Sequence, residues 1–208
     1  MPVVMNVDNL QSTHDLIRIS EAFPKHVFRG VHDAEKHRLI PKIGRNIPVT
    51  QRNELLIREQ GVLRRFRELS SGLLEMEQYS NWDLLAIAQH HGLETRLLDW
   101  TYNPLVAFFF ACEKQDDKVC AVYACEAKGA TTLPSDDPFT PKGSYWFLPR
   151  HGSLRIAAQS ALFSIQDDPF AEFESPSMKQ FLISADLKTN IRSLLRNWAS
   201  MSKTYFRG

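Results

Sequence analysis

From Leu85 to Cys112 the chain reads LAIAQHHGLETRLLDWTYNPLVAFFFAC, two apolar helical runs joined by a polar hinge. Few folds accommodate that order, because both runs demand burial while the hinge between them carries charge. The spacing predicts a first helix opening at Ser80, whose hydroxyl caps free backbone N–H groups with Asp83 three positions on. Leu84, Leu85, Ile87 and Ala88 supply its buried face, and Gly92 is placed just past its end. Asn103 is the expected cap of the second helix, with Pro104 at the first helical position, where its missing N–H costs nothing. Leu105 to Cys112 is apolar all round, which predicts burial on nearly every side.

The hinge gathers Gln89, His90, His91, Thr95, Arg96 and Asp99. Arg96 and Asp99 are each costly to bury singly and tolerable together, so one reading has them paired, pinning the hinge. In that reading the two histidines close a helix whose C-terminal dipole favours positive charge. In the other reading the hinge is a functional site, with Gln89 and His91 as its more pointed members.

Three blocks carry a family resemblance: Val27-Phe28-Arg29-Gly30, the stretch from Gln89 to Cys112, and Arg155-Ile-Ala-Ala-Gln159-Ser-Ala-Leu-Phe163. Together they resemble the FRG domain family, named for its Phe/Tyr-Arg-Gly tripeptide. Ala161 stands where that family usually has Gly. The tripeptide is also similar to the aromatic-Arg-Gly that mono-ADP-ribosyltransferases often place on their first core strand. There the Arg binds NAD phosphate or ribose, and a later acidic residue grips the nicotinamide ribose as the glycosidic bond breaks. This resemblance implies Arg29 and Gly30 at an NAD site. The chain has no Ser-Thr-Ser and no Glu-x-Glu at the late position. Gln159 can occupy that position, but a neutral amide does not supply negative charge. Asp99 or Glu126 is left as the substitute, with His91 as general base towards an acceptor.

Taken in order, the chain predicts a helix over 12–22 capped by Ser12, then a short strand from His26 that stops at Gly30 and delivers Arg29 to its end. Val31 to Val49, with its prolines and histidines, reads as an irregular basic connection. Thr50 opens an amphipathic helix through Glu54, Leu55, Leu56, Gln60, Leu63, Phe66 and Leu69, with Arg64, Arg65 and Arg67 near its end. Those arginines read first as dipole complementation. Val119 to Ala127 is a strand of β-branched and small residues, and residues 129–146 form a long loop leading to an apolar Tyr145–Leu148. Strands are expected within Arg155–Ile165 and over Lys179–Asp186, and a final helix over 188–199 through Ile191, Leu194, Leu195 and Trp198. The order gives an α+β fold, one domain over 1–208 with a core of about 26–186, in which a helix-rich N-terminal half packs on a small mixed or antiparallel sheet. The resemblance allows an ADP-ribosyltransferase-like arrangement.

A net charge of +1 gives no bulk electrostatic argument for nucleic acid or a membrane surface. Three cysteines without a CxxC pattern, and no leader-like or membrane-length apolar run, point to a cytoplasmic protein. The seven histidines form no HExxH or Cys/His zinc spacing, so no metal is expected. Phosphate-loop, dinucleotide and GxSxG signatures are absent as well, and Cys112 reads as a core thiol. Arg29, Gln89, His91, Thr95, Arg96, Asp99, Arg155 and Gln159 remain, arginine forks among them suited to phosphate or carboxylate. The first functional expectation is an NAD-consuming enzyme of ADP-ribosyltransferase or NAD-glycohydrolase type, in bacterial stress, toxin or phage-defence settings. NAD would be its co-substrate and a protein or nucleic acid a possible acceptor. The alternatives are a non-catalytic module that senses a nucleotide or other anion, or contacts a protein partner, and, more weakly, an RNA- or DNA-processing protein.

Overall fold

The computed structural model describes residues 6–48, 50, 52–70, 79–114, 116–130, 137–149 and 161–205. In chain order its elements are β1 (Asn6–Asn9), α1 (Asp15–Ala22), β2 (His26–Val31), α2 (Lys42–Asn46), α3 (Arg52–Ser70), α4 (Asn81–His90) and β3 (Leu98–Thr101). After these come α5 (Pro104–Cys112), β4 (Cys120–Glu126), β5 (Tyr145–Phe147), β6 (Ala161–Ile165), β7 (Lys179–Ile183) and α6 (Ala185–Tyr205). The fold is α+β, and the chain divides into two compact units. Met1–Arg38, Trp100–Ala127 and Glu174–Gly208 form the first, Leu39–Asp99 and Lys128–Phe173 the second.

The first unit holds a mixed sheet in the order β1-β7-β4-β2-β3. Only β1 runs parallel to its neighbour β7; the β7–β4, β4–β2 and β2–β3 pairs are antiparallel. Strand alternation sends Phe28 and Gly30 to one face of β2 and Arg29 to the other. On the first face α5 lies against the strand, and Phe28, Phe108, Val122, Phe181 and Ile191 share one core. Gly30 makes the approach possible: a Cβ there would lie 2.7 Å from the Ala111 backbone N and closer still to the Ala107 carbonyl oxygen. Helix α6 adds Leu187, Ile191 and Leu195, four apart and therefore on one stripe. Its Lys188, 1% exposed, ties the helix down by bonding the Asp116 carboxylate and the Lys118 carbonyl oxygen.

In the second unit β5 and β6 form an antiparallel pair, with Tyr145 opposite Ile165. Phe147, Phe163 and Ile165 pack with Trp82, Leu84 and Leu85 of α4. The capping box at Ser80 and Asp83 is present in both directions, and Gly92 follows the helix at φ 90°. Asn103 accepts from the Leu105 N–H, as expected, with Pro104 opening α5.

Several expectations need correction. Ser12 does not cap α1; the Asp15 carboxylate folds back to accept the Gln11 and Ser12 N–H groups instead. Strand β2 runs on through Val31, paired in register with Ala121, so Arg29 is mid-strand. The supposedly irregular 31–49 segment contains α2, because Leu39, Ile43 and Ile47 are buried and demand an ordered turn. The hinge contains β3. Helix α5 is not buried all round: Phe109 and Phe110 are 36% and 45% exposed. The final helix starts at Ala185 and reaches Tyr205; Trp198's side chain lies outside the described residues.

Candidate functional site

Helix α3 explains the hinge. Leu55, Glu59 and Leu63 are four apart and all buried, so a carboxylate sits in the middle of the apolar stripe. Arg96 meets it there: its Nε donates to Glu59 Oε1 at 2.8 Å and its Nη2 to Glu59 Oε2, with both side chains at most 4% exposed. Burial pushes the Glu59 carboxyl above its usual range, and the Arg96 guanidinium opposes that shift. The expected Arg96–Asp99 pair is thus replaced by a fork–fork pair reaching back to α3, which closes the hinge from beneath. Arg96 is engaged structurally and not displayed.

Asp99 is left for another purpose. It is exposed on β3, and the Gln89 side-chain amide donates to its Oδ1. The same amide's oxygen accepts from the hydroxyl of Thr95, which is 3% exposed and itself accepts the Leu97 N–H at 3.1 Å. A chain of three side chains therefore runs from a buried hydroxyl to an exposed carboxylate. Each link fixes the next, so Thr95 determines which end of the Gln89 amide faces Asp99. His91 closes α4, exposed, with its ring 6.0 Å from that of Phe66, and the His90 and His91 rings stand edge to face.

Arg29, on β2 in the first unit, shares its face with Tyr123 and Gln180 in one cross-strand row. Gln180 Nε2 donates to the Tyr123 hydroxyl at 2.9 Å. Gly30 is accounted for by the packing of α5. Arg155 and Gln159 lie outside the described residues. The structure therefore brings together Gln89, His90, His91, Thr95, Arg96 and Asp99. Glu59 was missed by the sequence reading, although its place in a Leu-x3-Glu-x3-Leu stripe was a usable signal. Cys112 is a buried thiol, raised by its neighbour Cys120 at 3.9 Å and by burial. Among the described residues no three His, Cys, Asp or Glu side chains are placed to hold a metal ion, and no helix is long and apolar enough to cross a membrane.

These features define an α+β protein with a preorganised acidic hinge between α4 and β3. The FRG domain model matches residues 24–120, from the turn ahead of β2 through the hinge and α5 to the first residue of β4. The chain carries an FRG domain. No curated protein and no solved structure matches it significantly.

Proposed function

We propose that this FRG domain is an NAD-consuming enzyme of the ADP-ribosyltransferase or NAD-glycohydrolase type, with Asp99 as its essential carboxylate. The observation that carries the reading is the Thr95–Gln89–Asp99 chain. Cleaving the bond between nicotinamide and ribose sends its electron pair to the departing ring and leaves an oxocarbenium-like ribose. A carboxylate fixed in advance stabilises that cation without reorganising during the reaction. Gln89 and Thr95 act as positioning residues. His91, exposed beside the hinge, takes the proton from the attacking water or acceptor hydroxyl.

The test is nicotinamide release from NAD by the full chain. Asp99→Asn should lower the rate at least about 100-fold, the scale of losing one preorganised electrostatic partner. Thr95→Val and Gln89→Ala should each cost about tenfold, in variants shown to be folded. Saturable NAD binding without release would favour a sensing module. Neither release nor calorimetric binding would sink the reading.

A further inference from the structure

A cleft of about 340 Å3 opens in the second unit, between the C-terminal half of α3, the start of α4 and the segment ahead of β5. Its lining includes Gln60, Arg64 and Arg67 of α3, Asn81 of α4, and Asp137 and Phe139 of the segment ahead of β5. Arg64 and Arg67 are three residues apart and therefore neighbours on one helix face. Arg65 pairs with Glu68 at 3.4 Å, whereas Arg64 and Arg67 make no ion pair among the described residues. Arg67 is instead oriented by Asn81, whose Oδ1 accepts from Nη2 at 3.1 Å. The first turn of α4 thus holds one guanidinium at the cleft, with the second a turn before it. The lining is also apolar in part: Phe139 and Leu63 belong to the buried core of this unit.

The lining carries charge of both signs. Two guanidiniums without carboxylate partners among the described residues favour an anion beside α3, because their planar forks donate to phosphate oxygens in pairs. Asp137, from the segment ahead of β5, adds one carboxylate to the lining, a group that repels an anion and accepts hydroxyl donors. An aromatic ring in the lining suits contact with a planar ring. The volume falls at the small end of ligand pockets, which begin at about 300 Å3. We propose that this cleft binds a nucleoside monophosphate, its phosphate on Arg64 and Arg67, its base over Phe139 and Leu63, and its ribose hydroxyls towards Asp137. The cleft shares no residue with the hinge, so this site and the NAD reading stand or fall separately.

Calorimetric titration of the full chain with AMP, adenosine and inorganic phosphate tests the assignment. AMP should bind saturably, at least tenfold more tightly than either fragment. The Arg64→Gln/Arg67→Gln double variant should lose at least tenfold in affinity, and Arg65→Gln should leave it unchanged. All three arginines are exposed, so the variants are expected to keep the wild-type thermal transition, which is measured alongside. Asp137→Asn supplies a second readout, weakening AMP while leaving inorganic phosphate unaffected. No AMP binding at millimolar concentration, binding indifferent to the two arginines, or phosphate binding as tightly as AMP would overturn the proposal.

Discussion

Replacing Gly30 by alanine puts one methyl group between the central strand and the helix packed on it. Its Cβ would stand 2.7 Å from Ala111 N, with the Ala107 carbonyl carbon at 3.0 Å. An ordinary contact needs about 3.5 Å and the Ala107 carbonyl oxygen stands closer than either of these atoms, so α5 must retreat by about 1.5 Å. Both opposing atoms are backbone, so no side-chain rotation relieves the clash. A gap of even 1 Å forfeits about half of each dispersion contact it opens. Ala107, Phe108, Ala111 and Cys112 are all at most 1% exposed, so they have well-packed contacts to lose. Phe108 alone then loses on the order of 2 kcal/mol. Strand β2 cannot yield instead, because β4 and β3 hold it on both sides. The expected destabilisation is about 3 kcal/mol, at the upper end for overpacking, or a fall of roughly 6–12 °C in Tm for a domain of this size. Urea denaturation and calorimetry of the full chain measure it. Gly61→Ala is the matched control: it lies in α3 with nothing within 4 Å of an added Cβ. That substitution should stabilise by about 0.5–1 kcal/mol, since glycine is a poor helix former. A loss below about 1 kcal/mol in Gly30→Ala would refute the claim that glycine is required there by the approach of α5.

Glu59→Ala should cost about 3–5 kcal/mol in a urea midpoint series at pH 7, because it strands the buried Arg96 charge; replacing both partners by apolar residues should recover most of that loss. Asp33 is buried and bonded by Lys118 Nζ at 2.7 Å and by the Lys36 N–H, and these donors, the Lys118 ammonium above all, hold its carboxyl well below the ordinary range. With the folded value below the unfolded one, its stabilisation is complete above about pH 4 and is lost as pH falls towards the folded value. The stability difference between wild type and Asp33→Asn should therefore be largest near neutrality and shrink below about pH 4 in paired acid titrations; a difference that grows on acidification would contradict the sign.

What could be read from the sequence was local. Ser80 with Asp83, Gly92, and Asn103 with Pro104 each act within one turn of their own position, so their residue types announce their roles. The β-branched and small residues of β4 did the same. The partner of Arg96 was another matter. Asp99 stood three positions away and Glu59 thirty-seven, and only tertiary packing chose between them. Once Glu59 took the guanidinium, the hinge carboxylate passed to Gln89, so one misassigned pair changed the roles of four candidate residues. Helix α2 was hidden by the prolines that flank it, Pro41 and Pro48, whose effect on local propensity the burial of Ile43 and Ile47 outweighs. The exposure of Phe109 and Phe110 was hidden because an apolar helix carries no periodicity to show which side meets the core.

The placement of β7 sets the order in which the first unit can assemble. It is the neighbour of both β1 and β4, strands formed far earlier in the chain, and β1 has it as its only partner in the sheet order. During synthesis β2 can meet β4 and α5 can settle over Gly30 as soon as Glu126 has left the ribosome. The opening strand must wait with its hydrogen-bonding edge unfilled until Lys179–Ile183 emerges. Such long-range closure makes folding slow. A nascent chain stalled before that point would expose the far edge of β4 to any other extended segment, and that edge is where misassembly would begin.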